Sequence, residues 1–125
     1  WGAGTIPGLI KHIWGKKIKI VGCDILVFND RWVVKQNAFD YVQELVSEQE
    51  KYDYIVIDLF DGDQMPSRIF TDNNFIQNVG RLSSALVGIN TIKVSEEWIT
   101  ESWVKYFKLD FKKTFYGNNI YFFRK

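Results

Sequence analysis

Apolar residues change their spacing from segment to segment along this chain, and each spacing predicts an element. Ile6, Leu9, Ile10, Ile13 and Trp14 recur at helical intervals over residues 5–14, and Pro7 stands near the start, where its missing N–H has no intrahelical partner. The segment KKIKIVGCD alternates and ends on an acid, the pattern of a strand running into a loop. RWVVKQNA predicts a second strand, and FDYVQELVSEQEKY a helix with Phe39, Val42, Leu45 and Val46 on one side. YDYIVIDLF is a short, almost continuous β-branched run bounded by acids, which suits a strand buried on both faces in a parallel sheet. The polar loop DGDQMPS leads to TDNNFIQNVGRLSSAL, a helical segment with Thr71 or Asp72 as its cap. INTIKVS reads as a strand and SEEWITESWVKYF as a helix, and two apolar-aromatic runs around YGNN predict an antiparallel hairpin.

Strands alternating with helices and closing on a hairpin predict an α/β fold. The expected form is a Rossmann-like, mainly parallel sheet with helices on both faces and a C-terminal antiparallel hairpin. With no repeat and no linker, the 125 residues are expected to form a single domain over 1–125. Two features suggest that this domain is incomplete. No apolar run precedes the glycine turn at Gly2, where a leading strand belongs. Only ILVFND separates Asp24 from Arg31, whereas a parallel crossover ordinarily takes about a dozen residues or more. Either these strands pair differently, or residues that belong between them are missing.

Composition then removes several function classes. Apolar residues make up 46% and charged residues 25%, close to globular averages, so disorder is not expected. The longest apolar runs fall far short of a membrane span and no signal-peptide pattern opens the chain, so no membrane partner and a cytoplasmic location are expected. Lys and Arg are dispersed and the net charge is +1, which predicts no nucleic-acid partner. A single cysteine excludes an internal disulfide and a cysteine-based metal site, and no metal is expected. The aromatics Phe115, Tyr116, Tyr121 and Phe123 could form a homodimer face, although core packing is the expected role.

In open α/β sheets ligands bind beyond the carboxyl ends of the strands, so the residues just after each strand carry the candidate chemistry. Gly2, Ala3 and Gly4 make a G-x-G turn into a helix, where small residues let backbone approach a ligand. Asp24, twenty residues after Gly4, stands where a carboxylate accepts hydrogen bonds from the ribose hydroxyls of a nucleoside. Asn37 and Ala38 follow the next strand, and Asn37 could read an adenine edge. Asp58 and Asp61 flank Leu59 and Phe60 at the end of the strand predicted over YDYIVIDLF. Taken singly, each feature has an ordinary explanation as a turn, a helix cap or a loop acid. Together, in this order and each at a strand end, they point to a nucleoside-containing ligand.

GAGTIPGLI, the acid of VGCD, QNAFDYV and above all KYDYIVIDLFDGDQMPSRIFT resemble the spermidine synthase group, whose members have the fold of class I S-adenosylmethionine methyltransferases. The resemblance spans roughly residues 1–86, and FYGNNIYFFRK suits the closing hairpin of that fold. It implies a cofactor, S-adenosylmethionine or its decarboxylated form. Gly2, Ala3 and Gly4 would face the methionine moiety, Asp24 the ribose, and Asn37 and Ala38 the adenine. Asp58 would be the catalytic general base that deprotonates an attacking amine, or its anchor, and Asp61 would help to hold that amine. The chain also departs from the group. Small hydroxyl residues between the two acids are replaced by Leu59 and Phe60, which suit packing against a purine or a different acceptor better than binding a polyamine. The usual Asp is replaced by Asn37. The amine-binding segment that the group carries before the glycine turn is not present.

The leading expectation is therefore a transferase domain that moves a methyl or aminopropyl group to an amine-like acceptor. The rival is a binding or assembly module that keeps the fold without turnover. A dinucleotide oxidoreductase fits less well, because Pro7 occupies the place of the third glycine.

Overall fold

The computed structural model describes residues 5–26, 32–60, 62, 64–92, 96–115 and 117–125. The chain divides into two compact units, Trp1–Tyr41 and Val42–Lys125.

The first unit contains the predicted helix, α1, over Thr5–Trp14. Gly15 follows at φ 70°, the left-handed geometry that closes a helix on glycine, and Gly15–Lys17 continue as a 3-10 turn. This turn takes Lys16 and Lys17 from the predicted first strand, and residues 18–21 lie outside any strand, so β1 is Gly22–Asp24. It pairs in parallel with β2, Val33–Lys35, in the register Gly22↔Val33, Cys23↔Val34 and Asp24↔Lys35. The short connection from Ile25 to Trp32 is therefore compatible with a parallel pair. A three-residue strand needs a return of only ~10 Å, and eight extended residues can span more than twice that. On α1, Leu9, Ile13 and Trp14 are exposed.

Helix α2, Ala38–Ser47, begins in the first unit and runs into the second. There β3 (Tyr52–Ile57), α3 (Arg68–Thr71), α4 (Asn73–Leu82), β4 (Ser83–Ile92), α5 (Glu96–Trp103), β5 (Lys108–Phe115) and β6 (Asn118–Arg124) follow. The strands form one sheet in the order β3-β4-β6-β5. Only β3 and β4 pair in parallel; β4–β6 and β5–β6 are antiparallel. The sheet is thus mixed where a mainly parallel one was expected, because the second arm of the hairpin inserts beside β4. The hairpin itself forms as predicted, with Gly117 at φ 84° in its turn.

Two further expectations are corrected. The residues SSAL continue the sheet instead of the helix. Ser83 takes extended geometry (φ −78°, ψ 131°), its N–H closes α4 on the carbonyl of Val79, and it pairs with Tyr52. Strand β3 is not buried on both faces. Ile57 faces the core, whereas Tyr54 and Val56 are 73% and 72% exposed.

The exposure of β3 follows from how the sheet is covered. On one face Val87 and Ile89 of β4 and Tyr121 and Phe123 of β6 pack with Ile69, Phe75, Ile76, Val79 and Trp103 from the helices, all of them buried. Burying each such side chain contributes roughly 1.5–3 kcal/mol. The ring of Trp103 stacks on Phe123 at 5.7 Å, and Phe107 lies 5.4 Å from Trp103. Tyr121 and Phe123 are therefore core residues and do not form a dimer face. Phe115 and Tyr116, the other two aromatics named for that face, have side chains outside the described set. The opposite face carries the row Val56, Gly88, Phe122 and Phe111 across the four strands. Phe111 and Phe122 stack there at 4.4 Å, and Phe111 remains 43% exposed.

Candidate functional site

In the first unit the parallel register brings two of the predicted residues to neighbouring strand ends. Asp24 closes β1, and its backbone carbonyl accepts from the N–H of Gln36 at 3.0 Å, extending the ladder by one bond beyond Lys35. Its Oδ1 accepts the N–H of Leu26 at 2.9 Å, the geometry of an Asx turn. Asn37 stands just past β2. Its Oδ1 accepts the Phe39 N–H at 2.9 Å and its carbonyl accepts the Tyr41 N–H at 3.0 Å, so Asn37 caps α2 and Ala38 is the first residue of that helix. Both residues thus do local work at the strand ends where a ligand would be read. Cys23 lies beside Asp24. Burial first, and the Asp24 charge second, push its thiol up to about 11, so it is no nucleophile at neutral pH. Gly2, Ala3 and Gly4 lie outside the described residues.

In the second unit Asp58 directly follows the last residue of β3 and is exposed. Asn90 donates from Nδ2 to Asp58 Oδ1 at 2.9 Å. Because Ile57 pairs with Ile89, Asp58 and Asn90 are the next two residues along adjacent parallel strands. Asn90 Oδ1 is buried with no hydrogen-bond partner among the described residues. Phe60 is half-buried, Asp61 lies outside the described residues, and Gly62 turns the loop at φ 63°. Buried Met65 and Ile69 anchor the far side of this loop into α3.

Asn90 is the residue that sequence reasoning missed. Its signal was an amide directly after the apolar run 85–89 of its strand, and that signal acquires meaning only once the register sets it beside Asp58. Asp24, Asn37 and Ala38 belong to the first unit, Asp58 and Phe60 to the second. No cluster of His, Cys, Asp and Glu among the described residues could hold a metal ion, and no described helix is long and apolar enough to cross a membrane.

No protein-family model and no curated protein matches this chain. Solved structures do. SMU.776, described as a methyltransferase and crystallised in complex with SAH, superposes with a TM-score of 0.66 at 10% identity, over 98% of this chain and 43% of its own. A structure described as a SAM-dependent methyltransferase from Streptococcus mutans superposes with a TM-score of 0.58 at 12% identity, over 80% of this chain and 32% of its own. The likeness establishes a methyltransferase fold, and this chain spans less than half the length of either structure. Neither match singles out the spermidine synthases.

Proposed function

We propose that the chain carries an S-adenosylmethionine-binding transferase domain that moves a methyl group to an amine-like acceptor. The observation that carries this reading is Asp58. In a methyltransferase fold, it sets an exposed, hydrogen-bonded carboxylate directly beyond the carboxyl end of β3. Aliphatic amines are mostly protonated at pH 7 and cannot attack a sulfonium-bound carbon until they lose that proton. A carboxylate holds the ammonium and accepts its proton, and alignment of nitrogen, carbon and sulfur supplies much of the remaining acceleration. In this reading Asp61 assists Asp58, and Gly2, Ala3 and Gly4 approach the methionine moiety. Asp24 takes the ribose, and Asn37 and Ala38 take the adenine. Methyl transfer is favoured over aminopropyl transfer because SAH, the ligand of SMU.776, is what S-adenosylmethionine becomes when it gives up its methyl group. Aminopropyl transfer would instead need decarboxylated S-adenosylmethionine.

Calorimetric titration with S-adenosylmethionine and with its decarboxylated form, beside an Asp24→Ala control, tests the reading. Saturable binding of the first, weakened about 10- to 100-fold in the control, is the expected result. A second reading, an assembly module without turnover, draws support from the exposed Tyr54 and Val56 on one face of β3. Absence of binding to either nucleoside would favour it.

A further inference from the structure

We infer that Asn90 is a positioning residue for Asp58, holding the carboxylate that receives the acceptor's ammonium. The inference rests on the transferase reading above. The two residues are 32 positions apart in the chain and meet through the parallel register of β3 and β4, so the backbone ladder itself sets their separation. The orientation of the amide follows from charge. With Nδ2 toward Asp58 it donates to an anion, whereas the flipped amide would set Oδ1 against a carboxylate.

The rest of the amide is ill suited to a purely structural role. Its Oδ1 is buried and has no partner among the described residues, between Ile89 and Thr91 on a strand that is otherwise mostly apolar here. An apolar side chain of similar size would leave no orphaned acceptor at this position. What only the amide supplies is the donor to Asp58. Asp58 is exposed at the start of a loop, where an unanchored carboxylate would sample several rotamers. Bonded through Oδ1, it keeps one geometry and retains Oδ2 as an acceptor for an ammonium N–H.

A double-mutant cycle tests this. The SAH-saturated chain is titrated calorimetrically with butylamine and with 1,4-diaminobutane, in the wild type, Asp58→Asn, Asn90→Leu and the double variant, with thermal unfolding run alongside. Asn90→Leu is expected to keep its unfolding midpoint and to bind amine about tenfold more weakly. The double variant should bind no more weakly than Asp58→Asn, within about twofold, because Asn90 acts through Asp58. Asn90→Ser, a shorter donor, should recover part of the loss, and it serves also if the leucine variant misfolds. Additive losses, or wild-type affinity in both Asn90 variants, would overturn the inference alone. SAH binding without amine binding in the wild type would refute the acceptor role of Asp58 and the inference with it, and absent SAH binding would refute the transferase reading itself.

Discussion

The indole N–H of Trp103 donates to the carbonyl of Ile69 at 3.0 Å, joining α5 to α3 across 34 positions of the chain. Both residues are completely buried, and the same indole stacks on Phe123 of the sheet. The helix that ends the Asp58 loop and the helix that follows β4 are therefore tied by one side chain. Trp103→Phe should lower stability by about 1–3 kcal/mol, since it strands a buried carbonyl. Trp103→Ala should cost about 3–5 kcal/mol, because it also empties the space beside Phe123. Urea unfolding followed by far-ultraviolet circular dichroism measures both. Equal midpoints for wild type and Trp103→Phe would show that the bond adds nothing.

Asp72 predicts a pH dependence. The guanidinium of Arg68 donates to Oδ2 at 2.8 Å, the Phe75 N–H donates to Oδ1 at 3.1 Å, and both hold the carboxyl below its ordinary range, the Arg68 bond most strongly. A carboxyl whose folded pKa lies below its unfolded value of ~3.9 stabilises the fold fully above that value and loses the contribution as pH falls through the folded pKa. Asp72→Asn keeps an acceptor for the α4 cap but removes the charge. Wild type should therefore be the more stable at pH 7, with the difference narrowing as pH falls below the unfolded value and through the folded one. Asp72→Ala should lose the cap as well, about 1 kcal/mol. Urea midpoints at pH 7 and pH 3 decide the matter.

What was legible in the sequence was what local chemistry settles. The interval of Ile6, Ile10 and Trp14 marks α1 over the range the structure shows, and Asp72 proves to be the cap of α4. Other features depend on partners far along the chain. Leu82 and Leu86 are four apart and mimic a helix, but pairing of Ser83 with Tyr52 makes the segment a strand. The apolar run of β3 reads as doubly buried, yet its openness depends on which face the helices cover. The candidate site divides in the same way. Asp58 is visible because an acid ends an apolar run, whereas Asn90 is invisible until the β3–β4 register is known. Asn37 and Asp24 are visible as polar residues after strands, but their cap and turn bonds appear only in the structure.

The thiol of Cys23 offers a probe of the first unit. With its pKa pushed up to about 11 by burial and by Asp24, very little of it is thiolate at pH 8. Alkylation by iodoacetamide should run on the order of a hundredfold slower than for an unperturbed cysteine, and should still be accelerating at pH 10. Guanidinium should restore the ordinary rate. Rapid labelling at pH 8 in native buffer would mean that the β1–β2 pair opens readily.

Asn37 separates a structural from a ligand-reading role most cleanly. Its Oδ1 already accepts the Phe39 N–H, so the amide can offer the exocyclic amino group of an adenine only the second lone pair of that shared oxygen and has no second oxygen. A carboxylate at this position has two. Asn37→Asp should keep the cap, leaving α2 as stable as before, while the second oxygen accepts from the adenine. On the transferase reading, SAH affinity should therefore rise by about three- to tenfold in Asn37→Asp. Asn37→Ala loses the cap, about 1 kcal/mol of stability. Calorimetry with SAH and urea unfolding on the same three chains distinguish the two roles. Unchanged affinity in the aspartate variant, with stability retained, would leave Asn37 a helix cap and move the adenine edge elsewhere.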